Sequence, residues 1–495
     1  MAGGPVVVVG AGPVGLTAAL LLARRHLDVL VLERHAEPYP LPRAVHLDGE
    51  VFRVLQAAGV ADALLPRTRP MAGLRLLDGR HRLLAEFGRH ADAAPNGWPQ
   101  DSLVHSPDLE AVLADAAGSD PRVTVLRGAV VTGLGQDGGV TLTYRTGGED
   151  RSVRAVAVLG CDGANSTVRE LIGARMRDLG PADRWLVLDI RSPIELPVWP
   201  GVSQVCDARR PSTFMPVTGD RYRWECRMRP GETVAELTTP ERLSWLLAPV
   251  DPTAVEFVRT VEYTFRAQVA DRWRSGRVLL AGDAAHLSPP FIGQGLGLGL
   301  RDVHQLAWKL AAVVTGEAGE DLLDTYPAER EPHARALIRV ALLVGRLMTG
   351  GGRSGDVVRR GVLAGVRRIP AVARLAADSR TPPLRHGPLV QRRGWAGRRL
   401  AGTLVPQPFV LVDGRCCRLD DVLDRVPVGS AGAELTLLRS RELTLRPVGV
   451  GGAGLRVQDG DGVLTTWLNG ASASAVEIRP DRIVRAARPR RRSAG

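Results

Sequence analysis

Residues Val6–Val9 are four consecutive β-branched positions, and the stretch after them, Pro13 to Arg25, is apolar over helical length with small residues at its start. An unbroken β-branched run predicts a central parallel strand covered on both faces. A second buried strand is expected at Val29–Leu32, ending on Glu33. Strand, turn, helix and strand within roughly 30 residues make a βαβ unit.

The helical period returns from Leu47 to Leu65, and Pro107–Ala117 opens a further helix with Asp108 and Glu110 in its first turn. Short strands separated by glycine-rich turns are expected at Val123–Leu126, Val130–Leu134, Val140–Tyr144 and Val153–Leu159. Between about Arg177 and Arg272 Pro, Trp and Tyr increase, and strand-like pieces such as Trp185–Ile190 and Arg221–Met228 alternate with turns. The strand Arg277–Leu280 resumes the nucleotide-binding character, and long helices are expected from Gly295 to about Ala376. A Pro/Arg-rich connector, Arg380 to Arg399, leads into a small last domain.

The fold class that follows is α/β. A Rossmann-like domain occupies 1–176 and 273–345, with a mostly antiparallel β domain inserted at 177–272. A helical connector is expected over 346–399, a C-terminal domain over 400–487, and a basic, disordered tail over 488–495.

Composition narrows the class. With 495 residues, 44% hydrophobic and 24% charged, the chain has the make-up of a globular protein with two or three cores, not of a disordered or fibrous one. The net charge is +12, nearly all of it arginine, with Lys309 the sole lysine. Scattered arginine reflects a compositional bias and implies no nucleic-acid partner, although the field favours anionic ligands. Five cysteines (Cys161, Cys206, Cys226, Cys416, Cys417) are too irregular for a disulfide framework or a metal site, and a reducing, cytoplasmic setting is expected. The uncharged stretch Pro5–Ala23 has the length of a membrane span, but a glycine turn interrupts it and Arg24-Arg25 follow it, so no membrane segment is expected.

Three motifs carry chemistry. The first, Gly10-Ala11-Gly12-Pro13-Val14-Gly15, sits between strand and helix with Glu33 at the end of the next strand. Its glycines allow a tight turn and close approach of a pyrophosphate to the helix start, and an acid at this spacing binds ribose hydroxyls. Glu33-Arg34 does not separate FAD from NAD. Gly449–Gly454 matches the same pattern without a following helix and reads as a plain loop. The second motif, Gly160-Cys161-Asp162-Gly163-Ala164-Asn165-Ser166, leaves a strand and opens a helix with Ser166 as N-cap. The third is Gly282-Asp283-Ala284-Ala285-His286, continued by Pro289-Pro290-Phe291-Ile292-Gly293-Gln294-Gly295-Leu296-Gly297 into a helix. Amides at that helix start can face an electron-rich ring edge.

In this order and separation the motifs resemble the class A flavoprotein monooxygenases typified by para-hydroxybenzoate hydroxylase. Pro42-Arg43-Ala44-Val45-His46-Leu47-Asp48 and Arg301-Asp302 through Leu310 are most similar to the 3-(3-hydroxyphenyl)propionate hydroxylase branch and to aromatic polyketide hydroxylases of antibiotic biosynthesis. The resemblance implies FAD, with NADPH or NADH as reductant, and hydroxylation of a phenolic small molecule by O2 through a C4a-hydroperoxyflavin. It implies that Gly10, Gly12, Gly15, Glu33 and Arg34 hold the ADP half, that Arg43 contacts its ribose–phosphate region, and that Asp162-Gly163 serves both FAD and the nicotinamide cofactor. Gly282-Asp283 would bind the ribityl-pyrophosphate portion. Pro290, Gly293, Gly295, Leu296 and Gly297 would line the ring, with the Pro290 carbonyl near the substrate hydroxyl.

The family often carries Asn where Gly297 stands, and Gln or Arg where Ser106 stands as a ribityl contact. His46 is read either as a catalytic group that deprotonates or orients the phenol, or as a satisfied histidine under the cofactor. His286 is read as structural. The C-terminal region, with Pro406-Gln407-Pro408-Phe409-Val410 and Ile478-Arg479-Pro480-Asp481, resembles a thioredoxin-like domain without CxxC. A monomer or homodimer is expected. Baeyer–Villiger insertion or epoxidation on the same scaffold, and a flavin-bound partner protein without activity, stay open beside hydroxylation.

Overall fold

Val6–Val9, completely buried, run along the middle of a six-stranded sheet in which they pair in parallel with Val29–Glu33 on one side and Ala157–Gly160 on the other. The computed structural model describes residues 4–89, 96–350, 381–426, 429–439, 441–450 and 454–490. Val123–Arg127 and Val278–Leu280 extend the sheet in parallel on either side, so all the strand ends that carry the motifs point to one edge. Helix Pro13–Ala23 begins with Gly12 as N-cap and Pro13 in the first turn, where its missing N–H leaves no bond unmade. It is buried nearly all round because helices Ser106–Ser119 and Gly295–Val314 pack against it.

The expected strand Val153–Leu159 is instead two. Glu149–Ala155 belongs to a three-stranded antiparallel sheet with Val130–Gly135 and Val140–Thr146, while Ala157–Gly160 lies in the central sheet. Glu149–Ala155 is largely polar and exposed. Its last residues, Val153 and Ala155, run without a turn signal into the buried Ala157–Gly160, so the expected strand joined the end of one to the other.

A seven-stranded sheet contains Asp183–Arg191, Arg221–Arg227, Ser212–Pro216, Val202–Val205 and Glu256–Phe265 of the inserted region. It also takes in Gly73–Leu77 and Leu83–Gly88 from the N-terminal part, the first pairing in parallel with Val202–Val205. The sheet therefore draws on both sides of the expected boundary at residue 177. One face packs Leu186, Leu188, Ile190 and Trp224 against helix Pro240–Leu247. The other face turns towards the glycine motifs.

Of the expected helices, Gly295–Val314 and Asp321–Thr349 are present, and residues 351–380 of the connector lie outside the described residues. The C-terminal region forms a seven-stranded sheet whose described pairs are all antiparallel, with its own apolar cluster around Leu419, Leu435 and Leu468. Arg488 and Pro489, expected in a disordered tail, complete the last strand, Val484–Pro489, where Arg488 pairs with Glu434 at 2.8 Å. Residues 491–495 lie outside the described residues.

Buried charge joins this region to the body. The Arg53 guanidinium, 2% exposed, donates through two nitrogens to Asp420 at 2.8 Å each and through the third to the Val405 carbonyl at 2.6 Å. Lys309 and Arg479 meet on Glu329, at 2.8 and 2.9 Å. Removing one partner of such a pair strands the other charge away from water. Asp420→Ala should lower stability by roughly 3–5 kcal/mol in urea unfolding; a loss below about 1 kcal/mol, the value of a surface pair, would contradict the packing described.

Candidate active site

The first glycine motif divides its labour. Gly10 has φ +103°, and a Cβ there would stand 2.5 Å from the Cys161 carbonyl oxygen; one on Gly15 would stand 1.9 Å from the Gly10 carbonyl oxygen. Both glycines let backbone approach backbone. A Cβ on Gly12 would meet nothing within 4 Å, and Gly12 lines the main cavity. It is at Gly12 that the helix start is open to an anion. Glu33 accepts from the Ala11 amide at 2.7 Å and the His35 amide at 2.9 Å, which fixes its carboxylate beside the turn. The Arg34 side chain is directed away, to His35 at 3.2 Å, and does not line the cavity.

Arg43 lines the cavity, and its amide donates to the buried Ser106 hydroxyl at 2.8 Å. Ser106 thus positions the Arg43 loop. Arg223 holds the same loop from the seven-stranded sheet, donating to the Pro42 and Arg43 carbonyls at 3.0 and 2.9 Å while its Nε meets Asp189 at 2.7 Å. Sequence reasoning missed Arg223, because nothing local ties it to residues so distant in the chain.

The Asp162 carboxylate turns inward. It accepts from Ser166 Oγ at 2.5 Å and the Val168 amide at 3.0 Å, and Ser166 caps helix Thr167–Leu171 as expected. Gly163, with φ +81° and no neighbour near its Cβ position, presents the open backbone to the cavity instead. Asp283 faces the cavity and makes no hydrogen bond among the described residues. An unengaged carboxylate beside an open glycine cradle suits a ligand rich in hydroxyls and phosphates. The donor set and the open space at Gly12, Gly163 and Gly295 therefore fit a flavin dinucleotide.

The third motif closes the ring side of the cradle. Pro290–Ile292 form a 3₁₀ turn, Gly293 has φ +64°, and helix Gly295–Val314 starts with Gln294 as N-cap. Pro290, Gly293, Gly295 and Leu296 line the cavity; Gly297 does not. A Cβ on Gly297 would lie 2.6 Å from Arg301 Nη1 and 3.2 Å from Gln294 Oε1. Gly297 leaves open the space next to the helix start. Its missing side chain admits the Arg301 guanidinium, which pairs with Asp48 at 2.5 Å and Glu50 at 2.9 Å and donates to Gln294 at 2.9 Å. The adjacent Asp302 accepts from the Gly282 amide at 3.1 Å and bonds His286 at 2.6 Å and Arg330 at 2.9 Å. His286 is structural, as read. Burial would raise the Asp302 pKa, but the His286 and Arg330 charges hold it below its ordinary value.

His46 lies between two acceptors. Its Nδ1 faces the Gly293 carbonyl at 3.2 Å and its Nε2 faces Asp101 Oδ1 at 2.8 Å. Both neighbours are acceptors, so the ring satisfies them only when it donates from both nitrogens, as the imidazolium does. Burial opposes the charge, yet the Asp101 hydrogen bond and carboxylate raise the His46 pKa above its ordinary 6.5. Arg89 completes the group at 2.6 Å from Asp101.

The cavity is continuous, about 1640 Å³, and runs from the glycine cradle to the inner face of the seven-stranded sheet. Pockets for a single ligand span roughly 300–1,000 Å³, so this one has room for a dinucleotide and a second molecule. Its far walls are apolar, with Leu76, Phe87, Met215, Val187 and Trp185. Among the described residues no cluster of His, Cys, Asp and Glu is placed to hold a metal ion, and no helix is long and apolar enough to cross a membrane.

Residues 4–341 match the family model described as FAD binding domain. The chain is 34% identical over 497 residues to the probable NADH-specific resorcinol 4-hydroxylase of Rhodococcus jostii, covering 96% of this chain and 90% of that protein. It is 35% identical over 509 residues to a 3-(3-hydroxy-phenyl)propionate/3-hydroxycinnamic acid hydroxylase of a Mycobacterium species, covering 97% and 87%. The fold superposes on the anhydrotetracycline hydroxylase of Streptomyces rimosus with TM-score 0.74 and 26% identity, over 98% of this chain and 96% of that one.

The His46 geometry generates a pH dependence. A group whose pKa is raised in the folded state adds stability that is complete below its unfolded value and fades as pH climbs through the folded value. The His46→Gln variant should therefore be least stable relative to the parent below pH 6.5, with the gap narrowing as pH rises above it. Denaturation midpoints across that range check this, and a gap that widens with pH would contradict it.

Proposed function

Because the chain belongs to the FAD-binding-domain family of aromatic hydroxylases, we propose that it uses NADH and O2 to hydroxylate a small phenol in the cavity under the seven-stranded sheet. It is an FAD-dependent monooxygenase. The observation that carries the reading is the cavity's two unlike ends, a glycine cradle with an unengaged carboxylate and an apolar chamber of aromatic and aliphatic walls. NADH is favoured by the specificity named for the Rhodococcus relative, and a small phenol by that protein and the Mycobacterium one. An aromatic polyketide is the second reading, supported by the likeness to the anhydrotetracycline enzyme and by the cavity's size.

Bound FAD would supply the redox and oxygen-transfer chemistry, with NADH as its reductant. The protein's part is binding, orientation and exclusion of water. The first-turn amides that follow Pro13 and the Gly163 amide would hold the phosphates, Glu33 the adenosine ribose, and Asp283 the ribityl hydroxyls. The amides opening helix Gly295–Val314, with His46 behind Gly293, would favour negative charge on the ring. The Pro290 carbonyl accepts a hydrogen bond from the substrate hydroxyl. The apolar walls keep water from the reacting carbon.

Three outcomes are expected. The purified protein is yellow, and its NADH consumption accelerates when a phenol is added; a colourless protein that takes up no FAD overturns the reading. The product is one oxygen heavier with its aromatic ring intact by NMR, whereas a ring-expanded lactone would indicate insertion. Asp283→Ala loses a hydrogen bond from a charged acceptor, about 1.5–3 kcal/mol, so its FAD Kd should rise roughly ten- to hundredfold in fluorescence titration.

A further inference from the structure

Three polar side chains stand in a row on the apolar wall of the chamber. Gln204 is in lateral register with Thr213, and Thr213 with Glu225, on three adjacent strands, and all three line the cavity. Residues in register on neighbouring strands share a face. The row therefore spans two strand spacings, roughly 10 Å, the length of a substituted aromatic ring. Apolar positions border it in the same register: Leu76 lies opposite Gln204, and Val187 opposite Glu225.

Two members of the row, Gln204 and Glu225, carry acceptors that the protein leaves unmatched, and the Thr213 hydroxyl between them can donate or accept. Gln204 is 7% exposed, and its Oε1 has no hydrogen-bond partner among the described residues. Native proteins rarely leave such an atom buried without a partner. Glu225 makes no hydrogen bond among the described residues; its one ion-pair neighbour is Arg223 at 3.7 Å. Arg223 is already engaged by Asp189 and by the Pro42 and Arg43 carbonyls. Burial pushes the Glu225 carboxyl up, opposed by Arg223 and assisted by Asp189. Of the other arginines on the cavity wall near the sheet, Arg89 is paired with Asp101 and Arg259 donates to Pro42. Arg43, Arg266 and Arg346 also line the cavity, and none of them is in register with the row.

We propose that Gln204, Thr213 and Glu225 form a specificity strip that accepts hydrogen bonds from a second, uncharged hydroxyl on the ring, so that the preferred substrate is a dihydroxylated aromatic and not a phenol bearing a carboxylate. The strip rests on the hydroxylase reading above and deepens it. Acceptors buried in an apolar wall reward a hydroxyl that donates and penalise a carboxylate that repels. A site built to hydrogen-bond a hydroxyl also discriminates strongly against a ligand without one, because its own polar atoms are then stranded.

The test uses the FAD-loaded full chain, with resorcinol, phenol and 3-(3-hydroxyphenyl)propionate as probes. Binding is read by perturbation of the flavin absorbance without NADH, and turnover by coupled product formation. The parent should prefer resorcinol in both. Glu225→Gln and Gln204→Leu, each shown to keep its flavin content and melting temperature, should lower the resorcinol-to-phenol ratio of kcat/KM about tenfold, mostly through KM. Glu225→Gln should also narrow the disfavour shown to the carboxylated probe. A parent that prefers the propionate, or variants whose resorcinol-to-phenol ratio stays at the parent value while hydroxylation continues, would overturn the strip alone. A chain that binds no FAD, or that hydroxylates none of the three, would overturn the underlying reading and the strip with it.

Discussion

Two consecutive residues on one buried helix organise the whole cleft. Arg301 and Asp302, on helix Gly295–Val314, are 5% and 0% exposed and send their charges to different sides. Arg301 binds Asp48 and Gln294, fixing the His46–Asp48 strand against the glycine segment that begins the helix. Asp302 binds the Gly282 amide, His286 and Arg330, fixing the turn that aims Asp283 at the cavity. Buried charges persist only when their partners are complete, so each contact constrains the others. The ion network ties the strand, the turn and the helix start that line this end of the cleft to one helix.

A second set of buried arginines attaches the neighbouring units to that cleft. Arg223 reaches from the seven-stranded sheet to the loop that carries Arg43, so the substrate wall and the dinucleotide cradle share one backbone segment. Arg53 and Arg479 bring the C-terminal sheet against the body, where the only lysine, Lys309, meets the same carboxylate as Arg479. Arginine suits these places because one planar guanidinium can satisfy carboxylate and carbonyl acceptors at once.

What was legible in the sequence was local. The β-branched run at Val6–Val9, the glycine turn after it, the Ser166 cap and the glycine entry into helix Gly295–Val314 each depend on residues close in the chain, and each is found. What stayed hidden depends on distant partners. The change of sheet at Val156 is hidden because no glycine or proline separates Val153 and Ala155 from the buried strand that follows. The recruitment of Gly73–Leu77 to the inserted sheet has no local signature. Gly297 looks like a ring contact until Arg301 is seen filling the space above it. Asp162 looks like a ligand residue until its oxygens are found on its own helix. His46 looks like a base until both nitrogens meet acceptors. The Gln204–Thr213–Glu225 row could not be read at all, since it exists only once three strands are laid in register.

The electron density of the FAD complex tests the account most directly. On the proposed reading the pyrophosphate would sit at the start of helix Pro13–Ala23, and the ring would lie against Gly295 and Leu296. Density for the ring outside this cavity, or for the pyrophosphate away from the start of helix Pro13–Ala23, would contradict it.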